Sequence, residues 1–267
     1  MDVRLTTIDS TRFLTNPYDV YVSKSLEVYG EWSYGEIDLF SKLLRPDTNV
    51  VEVGANIGAH TVFIARDICR SGLVYAFEPR RLLFQMLCAN VALNGLSNVY
   101  TFQKAAGRKK DLIVEGSIPT NQSSNQGGYP LGTIPGNSES IELFLIDEML
   151  DALRPISLLK VDAEGFELDV LIGSQKIIER DKPILYLEND RLERSSELIK
   201  FIMEMNYDLW WHIVRLFRKN NRAHTPMNIF GNVASFNMLC LPKHSNIKVS
   251  GLQKIDDPNA HPLRKAI

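Results

Sequence analysis

The sequence predicts an α/β fold with a mostly parallel, seven-stranded sheet, a terminal antiparallel strand and helices on both faces. Between residues 50 and 213, short apolar runs alternate with segments that have helical spacing. The runs are nearly continuous instead of alternating with polar residues, which is typical of parallel strands covered on both faces. The last two runs have no helix between them, so one of them is expected to be antiparallel.

The predicted strands and helices alternate regularly along the chain. The strands cover residues 50–53, 73–77, 99–103, 158–161, 184–187, 208–213 and 235–241. The helices cover about residues 59–70 and 83–94, a segment after Gly165, and a segment from about residue 195. Because β-α-β crossovers are right-handed, a ligand is expected at the carboxyl ends of the parallel strands.

The chain divides into three predicted parts. Residues 1–44 form a lead-in or cap, residues 45–242 the principal domain, and residues 243–267 a polar, loosely packed tail. Within the principal domain, residues 116–140 are rich in Gly, Ser, Asn, Gln and Pro. This insertion is either a lid over the ligand or a mobile surface loop.

Bulk composition excludes several classes of protein. The chain of 267 residues is 45% hydrophobic, with a formal net charge of −2. That charge argues against binding to nucleic acid. The three cysteines are odd in number and form no C-x-x-C pair, which favours free thiols in a reducing compartment. No signal peptide or membrane span is apparent, so a cytoplasmic location is expected. The oligomeric state is not predicted.

The loop after the first strand is typical of a nucleoside site. Residues 50–58 read Val-Val-Glu-Val-Gly-Ala-Asn-Ile-Gly, and Glu78 ends the second strand twenty residues after Gly58. An acid at that strand end can accept hydrogen bonds from ribose hydroxyls. The turn is G-x-x-x-G instead of the dinucleotide G-x-G-x-x-G, and Glu52 would repel a pyrophosphate but attract an ammonium group. These charges favour S-adenosylmethionine (SAM) over NAD.

A second group of acids follows the fourth predicted strand. Lys160, Asp162 and Glu164 alternate there, so they are expected to share one side, and Glu188 ends the next strand. Ionisable residues on a buried strand reduce the stability of the fold unless they are paired, so they are expected to be paired or catalytic. An ion pair of Lys160 with Glu164 is the structural alternative. For catalysis, Glu164, Glu188 or His212 is predicted to take a proton from the acceptor.

Two other charged groups suggest further ligands. Asp162, Glu188 and Asp190 carry oxygen ligands that suit a divalent cation, although no metal is expected as the default. The basic run at residues 215–222 either holds an anionic substrate or is solvated loop charge.

Taken together, these motifs make the chain similar to the FkbM family of SAM-dependent methyltransferases over roughly residues 25–242. The resemblance rests on residues 29–32 (Tyr-Gly-Glu-Trp) with Glu36, 51–58 with Thr61, 77–79 (Phe-Glu-Pro), 94–96 (Asn-Gly-Leu), 159–167 (Leu-Lys-Val-Asp-Ala-Glu-Gly-Phe-Glu), 187–188 (Leu-Glu) and 237–242 (Asn-Met-Leu-Cys-Leu-Pro). Glu52 stands where the family usually has aspartate, which keeps the charge.

The resemblance implies a class I, Rossmann-like methyltransferase fold and methyl transfer to a hydroxyl oxygen, commonly on a sugar or a polyketide-type natural product. It also implies SAM contacts at five of the predicted cofactor residues: Glu52, Gly54, Asn56, Gly58 and Glu78. The full predicted cofactor set adds Ala55, Thr61, Ala105 and Asp162.

The predicted activity is SAM-dependent O-methylation of a sugar, glycan or glycosylated natural product. Asp162 is expected nearest the methionine end of the cofactor and the acceptor, with Lys160 fixing the local charge. Trp32, Tyr34 and Trp210 are predicted to offer flat apolar surfaces to a sugar ring. Two alternatives are a SAM-binding protein without turnover and a nicotinamide-dependent oxidoreductase.

Overall fold

The computed structural model describes residues 2–265. Met1 of the predicted lead-in and residues 266–267 of the predicted tail lie outside the described part. The elements are β1 (Arg4–Ile8), β2 (Thr11–Thr15), α1 (Val22–Tyr29), α2 (Tyr34–Leu43), β3 (Val50–Val53), α3 (Ala59–Phe63), β4 (Val74–Phe77), α4 (Arg81–Leu93), β5 (Val99–Phe102), β6 (Ala105–Ala106), β7 (Asp111–Glu115), β8 (Glu139–Phe144), β9 (Leu158–Val161), α5 (Glu167–Ile172), α6 (Gln175–Asp181), β10 (Ile184–Glu188), α7 (Leu192–Glu204), β11 (Tyr207–Arg215), β12 (Ala234–Pro242) and β13 (Gln253–Lys254).

The main sheet has the order β5-β4-β3-β9-β10-β12-β11-β13 within residues 2–265. Strands β5, β4, β3, β9 and β10 are parallel. Strand β12 is antiparallel to both of its neighbours and lies between β10 and β11, inside the sheet. All seven predicted strands are present. The eighth, β13, comes from the predicted tail, and its two polar residues are too short a run to be recognised by pattern.

Both faces of the sheet are buried, as the continuous apolar runs indicate. On β9, Leu158 packs with the side chains of α2 and α3, whereas Leu159 packs with those of α5, α6 and α7. Successive strand residues point to opposite faces, so Lys160 lies on the same face as Leu158. The α/β class with helices on both faces is therefore confirmed.

The predicted helix over residues 59–70 differs from the observed one. It is α-helical over Ala59–Phe63, and Ile64–Ile68 then form a π-helical turn. The amide of Cys69 donates to the carbonyl of Ile64. The side-chain amide of Asn98 donates to the carbonyls of Ala65, Cys69 and Gly72. These bonds satisfy carbonyls that a helix end leaves unpaired.

The polar insertion joins two strands of a smaller sheet. Strands β7 and β8 are antiparallel, and β6 pairs with β8 in parallel. The insertion between them contacts the lead-in, where the Ser124 amide donates to the Tyr18 carbonyl and the Val20 amide donates to the Ser124 carbonyl. In addition, Asn16 donates to the side chain of Gln126.

The predicted loosely packed tail is partly packed against the sheet. Ile255 is buried in the main core, and the ring of buried His261 hydrogen-bonds the carbonyl of Asn189. Within residues 2–265, no helix combines the length and the apolar character that crossing a membrane requires.

Candidate active site

A cavity of about 440 Å³ lies at the carboxyl ends of the parallel strands. Its walls come from the lead-in, the loops after β3 and β4, the ends of β9 and β10, the insertion and the start of β12. The volume is within the usual range for small-molecule sites. The carboxyl ends of the parallel strands are the position at which right-handed crossovers predict a ligand.

The loop after β3 forms one wall through its backbone. Gly54 has a φ of 80°, and a Cβ built there would lie 1.8 Å from the carbonyl oxygen of Asp162. Gly58 is also left-handed, with a φ of 83°. The loop therefore approaches the end of β9 so closely that position 54 accepts glycine alone.

A row of buried polar side chains crosses the sheet beside this loop. Glu52, Lys160 and Tyr186 are direct neighbours on β3, β9 and β10. The Lys160 ammonium lies 3.7 Å from Glu52 Oε1 and 3.4 Å from Asp162 Oδ2. Thr61 Oγ1 donates to Glu52 Oε2 at 2.6 Å. Thr61 is buried and is not a lining residue; it contacts Glu52, which lines the cavity.

Burial and charge pairing shift the pKa values of Lys160 and Glu52. Burial lowers the pKa of Lys160, but the carboxylates of Asp162 and Glu52 more than offset that effect, so the net shift is upward. Burial raises the pKa of Glu52, against the opposing effect of the Lys160 ammonium. Lys160 therefore stays charged, and its ammonium favours the ionised form of Glu52 against the larger, opposite effect of burial.

Glu78 ends β4 at the cavity, as the spacing predicted. One of its oxygens accepts from the Asn56 amide at 2.9 Å and the other from the Arg80 amide at 3.0 Å. Burial raises its pKa to about 7, although both amides lower it. The bonds hold the carboxylate next to the backbone of the loop.

Three carboxyl groups crowd together beside Lys160. Asp162, Glu164 and Glu188 each offer an oxygen, and these oxygens lie within 4.8 Å of one another. Burial raises the pKa of Glu164 to about 8, and that of Glu188 well above its ordinary value. Like charges this close disfavour simultaneous ionisation. The group differs from the predicted cation ligands, because it contains Glu164 in place of Asp190.

Glu164 lines the same cavity as Lys160 and Asp162, but strand alternation is not what brings it there. Strand β9 ends at Val161, and Glu164 has a φ of 51°, so the alternation stops before it. Its carboxylate pairs with Arg191. The predicted structural pair of Lys160 with Glu164 is replaced by the pairs of Lys160 with Glu52 and Asp162.

The structure brings most of the predicted site residues to the cavity and leaves others outside. The predicted residues that line it are Trp32, Glu52, Gly54, Ala55, Asn56, Glu78, Ala105, Lys160, Asp162, Glu164 and Glu188. Gly58 lies at the start of α3, behind this lining.

Tyr34, Trp210 and His212 are not among the lining residues. His212 Nδ1 is 2.8 Å from the Tyr186 hydroxyl, and burial lowers the His212 pKa to about 4. Because β12 lies between β10 and β11, residues on β11 are kept away from the cavity. Tyr34 packs edge-on against Phe63 and under Arg218.

The basic run at residues 215–222 is largely used inside the protein. Arg218 forms a two-pronged ion pair with the buried Glu31, and Arg222 pairs with Asp9. Both guanidinium groups also lie over the ring of Tyr34. These arginines attach the lead-in to the principal sheet.

Sequence analysis missed the part of the cavity that is assembled from distant segments. Glu36, Leu216, Phe236 and Asn237 line the cavity, as does Tyr129 of the insertion. Glu36 and Asn237 lie in motifs that carry the family resemblance, and Glu36 is also a glutamate on the apolar face of a predicted helix, beside Ile37. Neither was predicted as a site residue, and Leu216, Phe236 and Tyr129 lie in no motif.

Comparison with known proteins agrees with this geometry. A model of the methyltransferase FkbM domain matches residues 52–209. "Methyltransferase 1" of Beauveria bassiana (strain ARSEF 2860) is 27% identical over an alignment of 183 residues, and the match covers 60% of this chain and 73% of that protein.

Two solved structures share the fold. The methyltransferase FkbM from Methylobacillus flagellatus KT has a TM-score of 0.51 at 20% identity, covering 74% of this chain. This chain spans 45% of that one. Precorrin-6y C5,15-methyltransferase from Geobacter metallireducens GS-15 has a TM-score of 0.52 at 12% identity, covering 86% of this chain and 93% of that one. With the family match extending over more than half of its length, the chain belongs to the FkbM family of methyltransferases.

Proposed function

We propose that the protein is a SAM-dependent O-methyltransferase that acts on a hydroxyl of a sugar, glycan or glycosylated natural product. The observation that carries the proposal is one cavity that extends across the strand ends from β4 to β12, and we assign its two ends to different ligands. The cofactor end is formed by Gly54, Asn56, Glu78 and Ala105. The acceptor end is formed by Trp32, Glu36, Leu216 and Phe236. Lys160, Asp162 and Glu188 lie between them.

The charged side chains that line this cavity suit SAM. SAM is a nucleoside with an ammonium and a sulfonium group and no phosphate. The two carboxyl groups of Asp162 and Glu52 face the single buried ammonium of Lys160, so a ligand with net positive charge is favoured. The same acids would repel a nicotinamide dinucleotide through its pyrophosphate. Glu78 is the group we assign to the ribose hydroxyls, as the sequence resemblance implies.

When bound, SAM supplies an electrophilic methyl group. The protein's own work is to bind the two reactants, align them and exclude water. Gly54 lets the loop backbone approach the cofactor end without a side chain. Lys160 keeps Glu52 and Asp162 compensated in charge, which holds their positions in a buried row.

The insertion is our candidate for the water-excluding lid. Its residues Gly127 and Tyr129 line the cavity. A Cβ at Gly127 would lie 2.1 Å from the side-chain amide of Asn56, so the insertion's backbone rests directly on the first loop. Its contacts with the lead-in hold it in this closed arrangement.

Trp32 supports the choice of a sugar as acceptor. Its half-buried indole lines the cavity, as does aliphatic Leu216. Flat aromatic faces suit the C–H face of a sugar ring, while carboxyl groups nearby suit its hydroxyls. Tyr34 and Trp210 lie outside the lining, so we assign the platform to Trp32.

The test is transfer of a labelled methyl group from SAM to a panel of methyl glycosides of glucose, mannose, galactose and rhamnose. We expect a methyl ether as product and a calorimetric signal with S-adenosylhomocysteine but not with NAD. Asp162→Asn and Glu164→Gln should each reduce turnover, whereas Glu142→Gln on the exposed face of β8 should not. Binding of NAD in place of S-adenosylhomocysteine would refute the proposal. Binding without any methyl transfer would favour a SAM-binding protein.

A further inference from the structure

Glu36 is a buried carboxyl group at the acceptor end that the predicted mechanism does not use. It lies in the first turn of α2, is 3% exposed and lines the cavity. The hydroxyl of Ser33 donates to its Oε1 at 2.7 Å, and Asn237 Nδ2 lies 3.4 Å from the same oxygen. Two segments about 200 residues apart in sequence therefore hold one oxygen of this group.

The second oxygen of Glu36 is the one that can meet a ligand. Within residues 2–265, no hydrogen bond or ion pair involves Glu36 Oε2. Ser33 and Asn237 both bind Oε1, which fixes the rotation of the carboxyl group. Since the residue lines the cavity, Oε2 is the atom directed to an incoming hydroxyl.

The other acids are less suited to receive a proton. The carboxylates of Glu52 and Asp162 already pair with the ammonium of Lys160, so an acceptor hydroxyl would have to compete with that ammonium for them. Glu164 pairs with Arg191, and its pKa of about 8 keeps it largely protonated at neutral pH. Glu188 lies in the same acidic group, and burial together with the neighbouring Asp162 raises its pKa well above its ordinary value, which favours its protonated form.

The surroundings of Glu36 bring its pKa close to neutrality. Burial raises that pKa to about 7, while the Lys160 ammonium lowers it and the Asp162 and Glu52 carboxylates raise it. Tyr186 on β10 also faces this group and is neutral near pH 7, because burial raises its pKa. His60 on α3 lines the same cavity and is neutral near pH 7, because burial lowers its pKa. A base is most effective when its pKa lies near the working pH.

We propose that Glu36 is the catalytic base: Oε2 accepts the proton of the acceptor hydroxyl during methyl transfer. The oxygen–methyl bond forms as the sulfur–methyl bond breaks, and the electron pair of that broken bond stays on sulfur. The products are a methyl ether, neutral S-adenosylhomocysteine and a protonated Glu36. Ser33 and Asn237 are positioning residues that aim the carboxyl group. The inference rests on the proposed function.

The first test is kinetic and uses the full chain with the same four methyl glycosides. Glu36→Gln keeps the shape of the group and an oxygen that Ser33 and Asn237 can bind, so folding is expected. We expect it to reduce kcat by about 10²- to 10⁴-fold, with the Kd for S-adenosylhomocysteine within about twofold of the unmodified protein. The rise of activity through a pKa near 7 should disappear, and Glu36→Asp should recover part of the rate.

The matched control is Glu31→Gln. Glu31 is as buried as Glu36 and lies on the same lead-in, but its carboxylate pairs with Arg218 and does not line the cavity. This variant should lose stability and, assayed below its unfolding temperature, keep its turnover and pH profile.

The second test needs no acceptor. SAM brings net positive charge into the cavity and favours the ionised form of Glu36, so binding at pH 7 should release up to about half a proton from this group. Calorimetry in buffers of different ionisation enthalpy measures that release. We expect less release in Glu36→Gln than in the unmodified protein or in Glu31→Gln.

The outcomes separate the two proposals. Unchanged kcat and pH profile in Glu36→Gln would overturn the role of Glu36 and leave the methyltransferase proposal intact. Equal proton release in Glu36→Gln and the unmodified protein would also overturn it. An unmodified protein that binds neither SAM nor S-adenosylhomocysteine would refute the proposed function itself.

Discussion

The proposed cofactor end and the proposed acceptor end of the cavity are built in different ways. The cofactor end uses backbone turns and strand ends that lie close together in sequence, such as Gly54 and Glu78. The acceptor end brings together Trp32 and Glu36 from the lead-in with Leu216 and Phe236 from around β11 and β12. The difference teaches that a shared cofactor can be recognised from local motifs, whereas acceptor choice depends on long-range packing.

The largest expected effect comes from filling the space at Gly54. In Gly54→Ala, the new Cβ would overlap the Asp162 carbonyl, and the φ of 80° would be strained. We expect the Kd for S-adenosylhomocysteine to rise at least about 100-fold, because the loop must move by more than side-chain adjustment allows. Calorimetry measures this change.

Gly95→Ala is its matched control. Gly95 also has a positive φ, 63°, but nothing lies within 4 Å of its added Cβ. It should lose about 1 kcal/mol of stability and bind S-adenosylhomocysteine normally. If both variants bind equally, the close approach at Gly54 is unimportant for the cofactor end.

Removing the charge of Lys160 tests the row between the two ends. Lys160→Met leaves Glu52 and its acidic neighbours buried without their cation. The expected loss in the free energy of unfolding is about 3 to 5 kcal/mol, measured by urea denaturation at pH 8. Lys104→Met removes an exposed pair with Glu142 and should cost about 0 to 1 kcal/mol. Equal losses would mean that the buried row does not depend on this charge.

Truncating the aromatic side chain at the acceptor end should separate acceptor binding from cofactor binding. Trp32→Ala removes the indole from the cavity lining. We expect KM for a methyl glycoside to rise roughly five- to thirty-fold, which corresponds to about 1 to 2 kcal/mol of lost contact. The Kd for S-adenosylhomocysteine should stay unchanged. Trp210→Phe, outside the lining, should alter neither value, and a raised KM there would contradict the assigned acceptor end.

The smallest expected effect is a fall in stability with rising pH in the ligand-free protein. The folded pKa values of Glu36 and Glu78 are about 7 and that of Glu164 about 8, all above the unfolded value of 4.5. Their stabilising contribution is complete below pH 4.5 and is lost as pH rises through 7 and 8. Above pH 6.5 the buried histidines, whose pKa values are lowered, are largely neutral in both states and contribute little.

We therefore expect Tm to fall by about 4 °C or more between pH 6.5 and pH 9. Differential scanning calorimetry measures the change. Glu164→Gln should reduce this slope, and Glu142→Gln, whose carboxylate is exposed, should not. A Tm that rises over this interval would contradict the assigned pKa directions.

Much of the cofactor end could be predicted from sequence because its constraints are local. Gly54 and Gly58 permit the left-handed turn, and the strand that ends at Glu78 runs parallel to β3. Once the strands are recognised, their carboxyl ends must meet at one edge of the sheet. The register that makes Glu52 and Lys160 direct neighbours is a property of strand pairing, which the pattern alone does not specify.

The sequence by itself determined the alternating α/β order, the two-sided burial of the strands, the glycine turn and the acids at the strand ends, because each depends on periodicity or on neighbours a few residues apart. The tertiary structure alone decided that β12 enters between β10 and β11, which keeps His212 from the cavity. It also decided that Glu164 turns to Arg191, and that Glu36 meets Asn237 across about 200 residues. Such contacts depend on the packing of whole elements, and that packing leaves no local pattern in the chain.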